Sequence, residues 1–440
     1  MLSTRLFVFA LLLAVARCGT ATADDGIPAD PSLRWWKGNL HTHTLWSDGN
    51  DFPDMVAEWY ATHGYNFLAL SDHNVLSEGI RYMPAAAIAK RDATALDKYI
   101  QRFGNSWVET RGEGDALEVR LKPFGEYRAL VEERGKFVMF PGEEISDSAE
   151  GVPVHMNATN IAELVLPLGG KTVREAIAAN ARAVEEQAKK TGREVMVHLN
   201  HPNFGFAITA EDLADVLSER FFEVYNGHPG VNQQGDKNRP SVDYLWDVAN
   251  TIRVGQMQAA PLWGLATDDS HDYHGHPNSS RPGRGWTMVR ATHLTPESII
   301  RALKRGDMYA SSGVTLADAR FDAASGLLEL SIEPNGDAIF TTQFIGTPKD
   351  YDPASEPRLN DKGEPIRATR KYSADVGKVF AEAEGPNPKY QLTGQELYVR
   401  AIITSSLPPA DPSFPDQKAQ AWTQPVGWEK WIQQKPAEPE

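Results

Sequence analysis

Histidine and aspartate residues with the spacing of metal ligands occur near the start of the chain, in the segment GNLHTHTLWSDG. His41 and His43 are two residues apart, so in an extended segment both imidazoles point to the same side and can bind one metal ion. Asp48 follows within the same segment. A polar surface turn explains this short pattern equally well when it is taken alone. The segment therefore predicts a metal site only if other residues support it.

Further candidate ligands stand in or directly after short apolar runs of the chain. The runs FLAL, KFVMF, VMVHL and LWGLA each lead into such residues, and VPVHM contains one. Because the carboxyl ends of parallel strands form the active-site face of an α/β barrel, we expect these side chains to meet there. Burying them without a shared cation would be costly, so together they predict a multinuclear metal centre. The candidates are Asp72, His73, Glu143, Glu144, His155, His198, His201, Asp268, Asp269 and His271.

The elements that would position these ligands alternate between strand and helix. Apolar runs predict strands and amphipathic segments predict helices, and this alternation indicates a parallel sheet whose length suits a closed barrel. Residues 80–123 form a long insertion with a helical piece and a hairpin, which is typical of a lid. The predicted strands are 67–70, 136–140, 152–156, 195–199, 221–225, 262–266 and 286–290, and the predicted helices are 54–64, 171–192, 209–220 and 295–306.

Beyond Gly313 the pattern changes to short alternating runs separated by Pro, Gly, Asn and Asp. This texture predicts a small antiparallel β domain, sandwich-like, over residues 314–432. The charged stretch 349–371 is expected to be a loop. Three tryptophans near the end, Trp422, Trp428 and Trp431, are expected to pack in the core of this domain.

Residues 1–23 have the pattern of a secretory signal peptide, with a basic residue, an apolar run too short to span a bilayer, and small residues before the expected cleavage point. We therefore expect an exported protein, periplasmic or secreted, with no membrane span. Cleavage would remove Cys18, the one cysteine of the chain, and so excludes thiolate ligands.

Composition narrows the function classes further. The chain has 440 residues, 41% of them hydrophobic, and a formal charge of -15, which speaks against binding a nucleic-acid polymer. Its balance of residues is that of a globular protein and excludes disordered and disulfide-scaffold classes. All 12 histidines lie between His41 and His293, so the chemistry is expected in the first two thirds.

The ordered set HTHTLWSDG, SDH, GEE, His155, NHP and DDSH resembles the PHP (polymerase and histidinol phosphatase) superfamily of metal-dependent phosphoesterases. With the run RPGRGWTMVRATHLTPESIIRALKRGDMYASSG it is similar to the CehA/McbA-type branch, which includes a carbaryl hydrolase. The match covers residues 34–313. It implies a distorted, TIM-like (β/α)7 barrel with two or three divalent metals, and nitrogen and oxygen ligands suit manganese, iron or zinc.

The resemblance also assigns ligands. Glu144 is chosen over Glu143, and Asp269 over Asp268, only because the family reads Gly-x-Glu and Asp-x-His; spacing cannot separate either pair. The implied sets are His41, His43, Glu144 and Asp269 for the first metal, His155 and His201 with Glu144 as a bridge for the second, and Asp48, His73 and His271 for the third.

The predicted function is hydrolysis of a small-molecule phosphomonoester or phosphodiester by a metal-bound hydroxide. A carbamate or carboxylic ester hydrolase would use the same hydroxide and is the first alternative. A binding protein without catalysis, whose β domain holds a polymer or glycan, is the second. The binding protein would be favoured if the purified protein carried no metal, or if replacing His41 and His43 by Ala changed neither activity nor ligand affinity.

Several polar residues have roles that the sequence leaves open. Arg281 and Arg284 are candidates for a substrate phosphate clamp, although a solvated basic loop explains them equally well. No catalytic side chain is assigned; Asp72 and His198 are candidates for the proton donor, and His198 could instead orient a ligand or simply pack. The remaining histidines are expected in surface or helical positions: His63, His228, His274, His276 and His293.

Overall fold

Thirteen strands form one hydrogen-bonded sheet in the computed structural model, which describes residues 32–432. With its helices, the chain is a mixed α/β protein. The predicted signal peptide at 1–23 lies outside the described residues. Within 32–432, no helix has the length and apolar character that a bilayer crossing requires.

The first part of the chain contains the elements that surround the candidate ligands. Its strands are β1 (Arg34–Asn39), β2 (Phe67–Leu70), β3 (Arg81–Pro84), β4 (Thr110–Arg111), β5 (Glu118–Leu121), β6 (Val138–Ala149), β7 (Val152–Thr159), β8 (Met196–Leu199), β9 (Phe221–Asn226), β10 (Trp263–Thr267), β11 (Trp286–Ala291) and β12 (Met308–Ser311). Its helices are α1 (Pro53–Thr62), α2 (Ala85–Arg91), α3 (Ala95–Phe103), α4 (Phe124–Val131), α5 (Val173–Thr191), α6 (Ala210–Asp215), α7 (Val242–Thr251) and α8 (Pro296–Lys304).

Local sequence signals explain where the predicted helices begin and end. Helix α5 follows Thr172, whose side chain accepts a hydrogen bond from the Glu175 N–H, and it stops at Gly192 in a left-handed conformation. Helix α6 begins with a capping box between Thr209 and Asp212. The predicted strands and helices of this part are confirmed, although α6 is shorter than the predicted 209–220.

The predicted parallel sheet is found only in part. Strands β2–β1, β2–β6, β8–β9 and β9–β10 pair in parallel, but β7 runs antiparallel to β6 and β8, and β11 runs antiparallel to β1 and β12. The cause at β7 is a tight two-residue turn, in which Glu150 and Gly151 have φ of 53° and 77°. Such a turn makes a hairpin, since a parallel crossover needs a much longer connection.

The sheet is also open, where the sequence predicts a closed barrel. Across the described residues, β10 pairs along its backbone with β9 but not with β11. Hydrogen bonds from side chains replace the backbone pairing on that side of β10. The Thr287 hydroxyl donates to the Ala266 carbonyl and accepts from its N–H, and the Gln424 amide makes the same pair of bonds to Gly264. Polar side chains thus satisfy the free side of β10 without closing the sheet.

The C-terminal part extends the same sheet in the order β12-β21-β20-β15-β18, while β13-β14-β19 form a second sheet. Side chains of both sheets, such as Leu330 and Phe344, share one apolar core. Trp422 is buried and donates to Asp243. The strands are β13 (Leu316–Asp322), β14 (Leu327–Ile332), β15 (Phe340–Pro348), β16 (Ser355–Glu356), β17 (Lys371–Tyr372), β18 (Lys378–Glu384), β19 (Lys389–Gln391), β20 (Glu396–Ser405) and β21 (Gln420–Thr423).

The insertion at 80–123 holds the loop that carries Asp48. Arg91 donates to the carbonyls of Ser47 and Gly49, and Arg81 donates to the Trp46 carbonyl. A Cβ atom on Gly49 would lie 2.5 Å from the His43 carbonyl oxygen, so only glycine fits this tight loop. The insertion therefore fixes the position of Asp48 relative to His43.

Candidate metal centre

Four side chains from three strands or the residues just after them form the innermost group of the site. His41 and His43 follow β1, Glu144 lies within β6, and Asp269 follows β10. The Nε2 atoms of both histidines lie 3.2 Å from Asp269 Oδ1, and 3.4 and 3.3 Å from Glu144 Oε2. All four side chains are buried. The structure thus brings together the residues predicted to hold the first metal.

A second group faces the other oxygen of the same carboxylate. His155 Nδ1 lies 3.0 Å and His201 Nε2 lies 3.6 Å from Glu144 Oε1. His73 Nδ1 lies 2.9 Å from the first oxygen, Oε2. The two Glu144 oxygens therefore point to different sets of histidines, which is the arrangement a bridging carboxylate needs.

The third group lies toward solvent. Asp48 is within 3.3 Å of His271 Nε2 and 3.4 Å of His73 Nε2, and its side chain is 55% exposed. His43 connects this group with the innermost one, because its Nδ1 lies 3.6 Å from Asp48. The exposure of Asp48 makes this group the open side of the site.

The innermost atoms lack the hydrogen bonds that buried polar atoms normally make. His41 Nε2, His43 Nε2 and Glu144 Oε2 are buried and have no hydrogen-bond partner among the described residues. Leaving such atoms unsatisfied costs free energy, and here they converge on one point. Imidazole nitrogens and carboxylate oxygens are ligands for divalent transition metals, so the residues fit a metal centre.

The electrostatics of the group point the same way. Burial lowers the pKa of His43 to about 3, which leaves its nitrogens free of a second proton. Burial alone would raise the pKa of Glu144, but His41 and His155 outweigh it and hold that pKa well below its usual range. Burial alone would likewise lower the pKa of His41, whereas Asp269 and Glu223 raise it well above its usual value. The site is therefore rich in ionised carboxylates that a cation would neutralise.

Two of the candidate ligands have strained backbones. His201 and Asp269 have φ of 21° and 48°, in the region that favours glycine. Non-glycine residues in this region cost free energy and are concentrated at functional sites. The strain places both side chains beside Glu144 and His41 rather than along the preceding strands.

A buried carboxylate that sequence reasoning missed supports the innermost group. Glu223, in the middle of β9, lies with Oε1 2.6 Å from His41 Nδ1 and accepts from the Thr267 hydroxyl. Its other oxygen accepts from the His201 N–H and from Asn226. The Nδ1 contact fixes the ring so that Nε2 faces the metal ligands. One acidic residue within the apolar run FFEVY was the available signal.

Asparagines after the strands orient the carboxylate ligands, and sequence reasoning missed them as well. Asn200 donates to Glu144 Oε1 at 2.8 Å, and Asn226 donates to Asp269 Oδ2 at 3.2 Å. Asn200 directly follows β8, in LNHP, and Asn226 is the last residue of β9, in YNG. Amide donors of this kind fix the rotamer of a ligand without competing for a cation.

The neighbouring carboxylates point elsewhere. Asp268 accepts from the N–H groups of Gly283, Arg284 and Gly285 and so holds the loop before β11. Glu143 accepts from the Val165 N–H at 2.6 Å. Alternation along β6 thus places Glu144, rather than Glu143, beside the histidines. The left-handed backbone at Asp269 places that residue there, rather than Asp268.

The two proton-donor candidates differ in their surroundings. Both oxygens of Asp72 already accept hydrogen bonds from Thr44, and Ser47 donates to one of them, so Asp72 holds the loop of Asp48. His198 is buried with both ring nitrogens unpartnered among the described residues, and its Nε2 lies 3.5 Å from Glu223. These contacts place His198 behind His41 rather than at the open side.

The predicted phosphate clamp is already engaged with another part of the chain. Arg281 and Arg284 both pair with Asp411, at 2.5 and 3.0 Å. Arg284 also donates to the Ser279 carbonyl, and its side chain is 3% exposed. Their role as a clamp stays a prediction, and a substrate would have to compete with Asp411 for them.

The other histidines are not all surface residues. His274 has its side chain 2% exposed and lies 3.6 Å from Asp51, and His276 lies 3.1 Å from Asp92 and from Asp272. They link the loop after β10 to the insertion. His228, expected at the surface, is half-buried with its ring 5.7 Å from that of His271. Proximity of these loops in space, which no local pattern reveals, explains the difference.

No family model matches the chain, and no curated protein matches it. One similar solved structure is a two-domain protein of Bacteroides vulgatus ATCC 8482, described as containing a predicted PHP-like metal-dependent phosphoesterase; it is 14% identical, with a TM-score of 0.37 over 91% of this chain and 97% of that chain. Another is a proposed metal-dependent phosphoesterase of Bifidobacterium adolescentis ATCC 15703. It is 15% identical, with a TM-score of 0.32, and the match covers 61% of this chain and 96% of that chain. Similarity this low does not by itself assign the chain.

Proposed function

We propose that the chain is an exported metal-dependent phosphoesterase of the PHP superfamily, of its CehA/McbA-type branch, which hydrolyses a small-molecule phosphomonoester or phosphodiester. The observation that carries the proposal is the shared carboxylate of Glu144. One oxygen faces His41 and His43, and the other faces His155 and His201. A carboxylate between two sets of ligands suits a pair of adjacent cations, which is a recurring arrangement for displacement at phosphorus.

Divalent metals bound to these groups would polarise a phosphoryl oxygen and lower the pKa of water at the site. The residues of the chain provide the geometry. Glu223 holds His41 through Nδ1, and Asn200 holds Glu144, so the ligand atoms are oriented before any cation binds. This preorganisation supports a catalytic rather than an incidental site.

The open side of the site supports access for a substrate. Asp48, His73 and His271 lie there, and Asp48 is the most exposed of the candidate ligands. Manganese, iron and zinc all suit the donor set.

One observation favours a second candidate, hydrolysis of a carbamate or carboxylic ester. The guanidinium groups of Arg281 and Arg284 are paired with Asp411, and the chain has a charge of -15. A neutral ester needs no clamp and would not be repelled at long range. The same ligands would serve both reactions.

The test is elemental analysis of the purified protein, followed by hydrolysis assays on nitrophenyl phosphate, bis-nitrophenyl phosphate, and nitrophenyl carbamate and carboxylate esters, with manganese or zinc. We expect bound transition metal and turnover of a phosphoester that a chelator abolishes. The double variant His41→Ala, His43→Ala should lose both. His63→Ala is the matched control, because His63 stacks on Trp59 outside the site. Protein without bound metal would overturn the proposal, and turnover of neutral esters alone would replace it with the second candidate.

A further inference from the structure

His228 borders the metal centre on the loop that follows β9. Its ring is 5.7 Å from that of His271, in an edge-to-face arrangement, and 6.1 Å from that of Phe204. Phe204 in turn lies 5.1 Å from His201. His228 thus stands between the second and third ligand groups, although within residues 32–432 it belongs to none of the groups that could hold a metal.

Backbone contacts fix the position and the tautomer of His228. The backbone N–H of His228 donates to the side-chain oxygen of Asn226, and the Asn226 amide nitrogen donates to Asp269. These bonds connect the loop of His228 to the ligand set. The Gly230 N–H donates to His228 Nδ1 at 2.9 Å. That bond needs the lone pair on Nδ1, so the neutral ring carries its hydrogen on Nε2.

The Nε2–H group is left available. In the described part of the chain, no hydrogen bond involves His228 Nε2, and it is not among the buried atoms that lack a partner. The nitrogen is therefore accessible beside His271. Arg281 and Arg284, by contrast, already bind Asp411.

We propose that the Nε2–H of His228 donates a hydrogen bond to a substrate oxygen next to the metal centre. The oxygen is a phosphoryl oxygen, a choice that rests on the proposed function. A neutral donor held in one tautomer orients such an oxygen at little entropic cost. His228 is thus a substrate-binding residue and not a metal ligand.

Two variants distinguish the effect of the Nε2 donor from that of the other ring atoms. The amide nitrogen of Gln reaches the place of Nε2, whereas the shorter Asn reaches only that of Nδ1. We expect His228→Asn to weaken binding of inorganic phosphate to the manganese-loaded protein roughly tenfold, the effect of one hydrogen bond to a charged group. His228→Gln should stay within about threefold of the unchanged protein. Calorimetry measures the affinity, and elemental analysis should show the same metal content in all three proteins.

Three results would overturn the inference: phosphate affinity of His228→Asn equal to that of the unchanged protein, equal weakening in both variants, or loss of metal in His228→Asn. The assay panel separates this inference from the proposed function. If the unchanged metal-loaded protein hydrolyses no phosphoester, the proposed function fails. If it is active and His228→Asn keeps the same KM and phosphate affinity, only the role of His228 fails.

Discussion

The metal centre and the Arg400–Asp247 pair are both buried groups of charged side chains, but their polar atoms are satisfied differently. Arg400 on β20 donates to both carboxylate oxygens of Asp247 on α7, at 2.8 and 2.7 Å, and Tyr398 donates to the same carboxylate. Only Nη1 of Arg400 has no hydrogen-bond partner among the described residues. Glu144 Oε2 and His41 Nε2 are equally buried and make no hydrogen bond among the described residues, although other candidate ligands surround them at 2.9 Å and more. Burial of charge is therefore no mark of function. A better mark of function is a set of unsatisfied ligand atoms that converge on one point.

The largest effect should come from removing the shared carboxylate. We expect Glu144→Gln to lower phosphoester hydrolysis roughly a thousandfold, because several kcal/mol of transition-state stabilisation depend on the metals, and to lower the metal content. Glu143→Gln is the matched control, since its side chain binds the Val165 N–H. Activity assays and elemental analysis check both variants. Equal losses in the two would mean that the alternation along β6 does not define the site.

Breaking the paired charges should affect folding instead. Arg400→Met leaves Asp247 buried without its partner, which should lower the free energy of unfolding by about 3 to 5 kcal/mol. Urea denaturation measures this change, while the metal content of the folded fraction should not change. The double variant Arg400→Met, Asp247→Leu should recover part of the loss, because Asp247 is removed with its partner and Asp243, 3.6 Å from Arg400, keeps its hydrogen bond from Trp422. A metal loss in the folded single variant would remove the contrast between the two groups.

A smaller effect is expected behind the ligands. Glu223→Gln removes the negative charge that faces His41 Nδ1 and should weaken metal affinity by about 10-fold to 100-fold. Titration of the metal-free protein with zinc, followed by calorimetry, measures this affinity. The control is Glu219→Gln, because Glu219 lies two residues before the start of β9. An unchanged affinity in Glu223→Gln would show that the Asn and backbone contacts orient His41 and its neighbours without this carboxylate.

The smallest effect concerns Glu219, whose Oε2 is buried without a partner among the described residues but has no other ligand atoms converging on it. Burial raises its pKa to about 8. Between the unfolded pKa and this value the unfolded chain is ionised while the folded chain keeps its proton, so stability falls as pH rises. Glu219→Gln should therefore gain about 1 kcal/mol over the unchanged protein between pH 6 and pH 7. A difference that does not change with pH in urea denaturation would contradict the assignment.

Much of the fold was predictable because apolar runs and helix caps are local signals. FLAL coincides with β2, and α5 lies within the predicted 171–192 and stops at Gly192. The direction of β7 was not predictable from its composition, since an apolar run reads the same in either direction. Only the turn at Glu150 and Gly151 determines it.

The site divides in the same way. Family spacing indicates Glu144 and Asp269, and the structure brings them to His41 and His43. Glu223 was missed because its partner His41 is distant in sequence, and a lone acid in a strand carries no spacing. The pairing of Arg284 with Asp411 also escaped prediction, since contacts between distant loops leave no local pattern.

The side-chain caps on β10 bear on what the C-terminal strands contribute to the rest of the sheet. An open sheet presents unpaired backbone groups to which another chain can add a strand. Gln424 and Thr287 occupy those groups at Gly264 and Ala266, and Gln424 comes from beyond β21, near the end of the described chain. A chain shortened before residue 420 would lose that cap and also bare the edge of β12. The C-terminal strands are therefore part of the framework of the metal-binding half, because they complete both its sheet and the hydrogen bonds of β10.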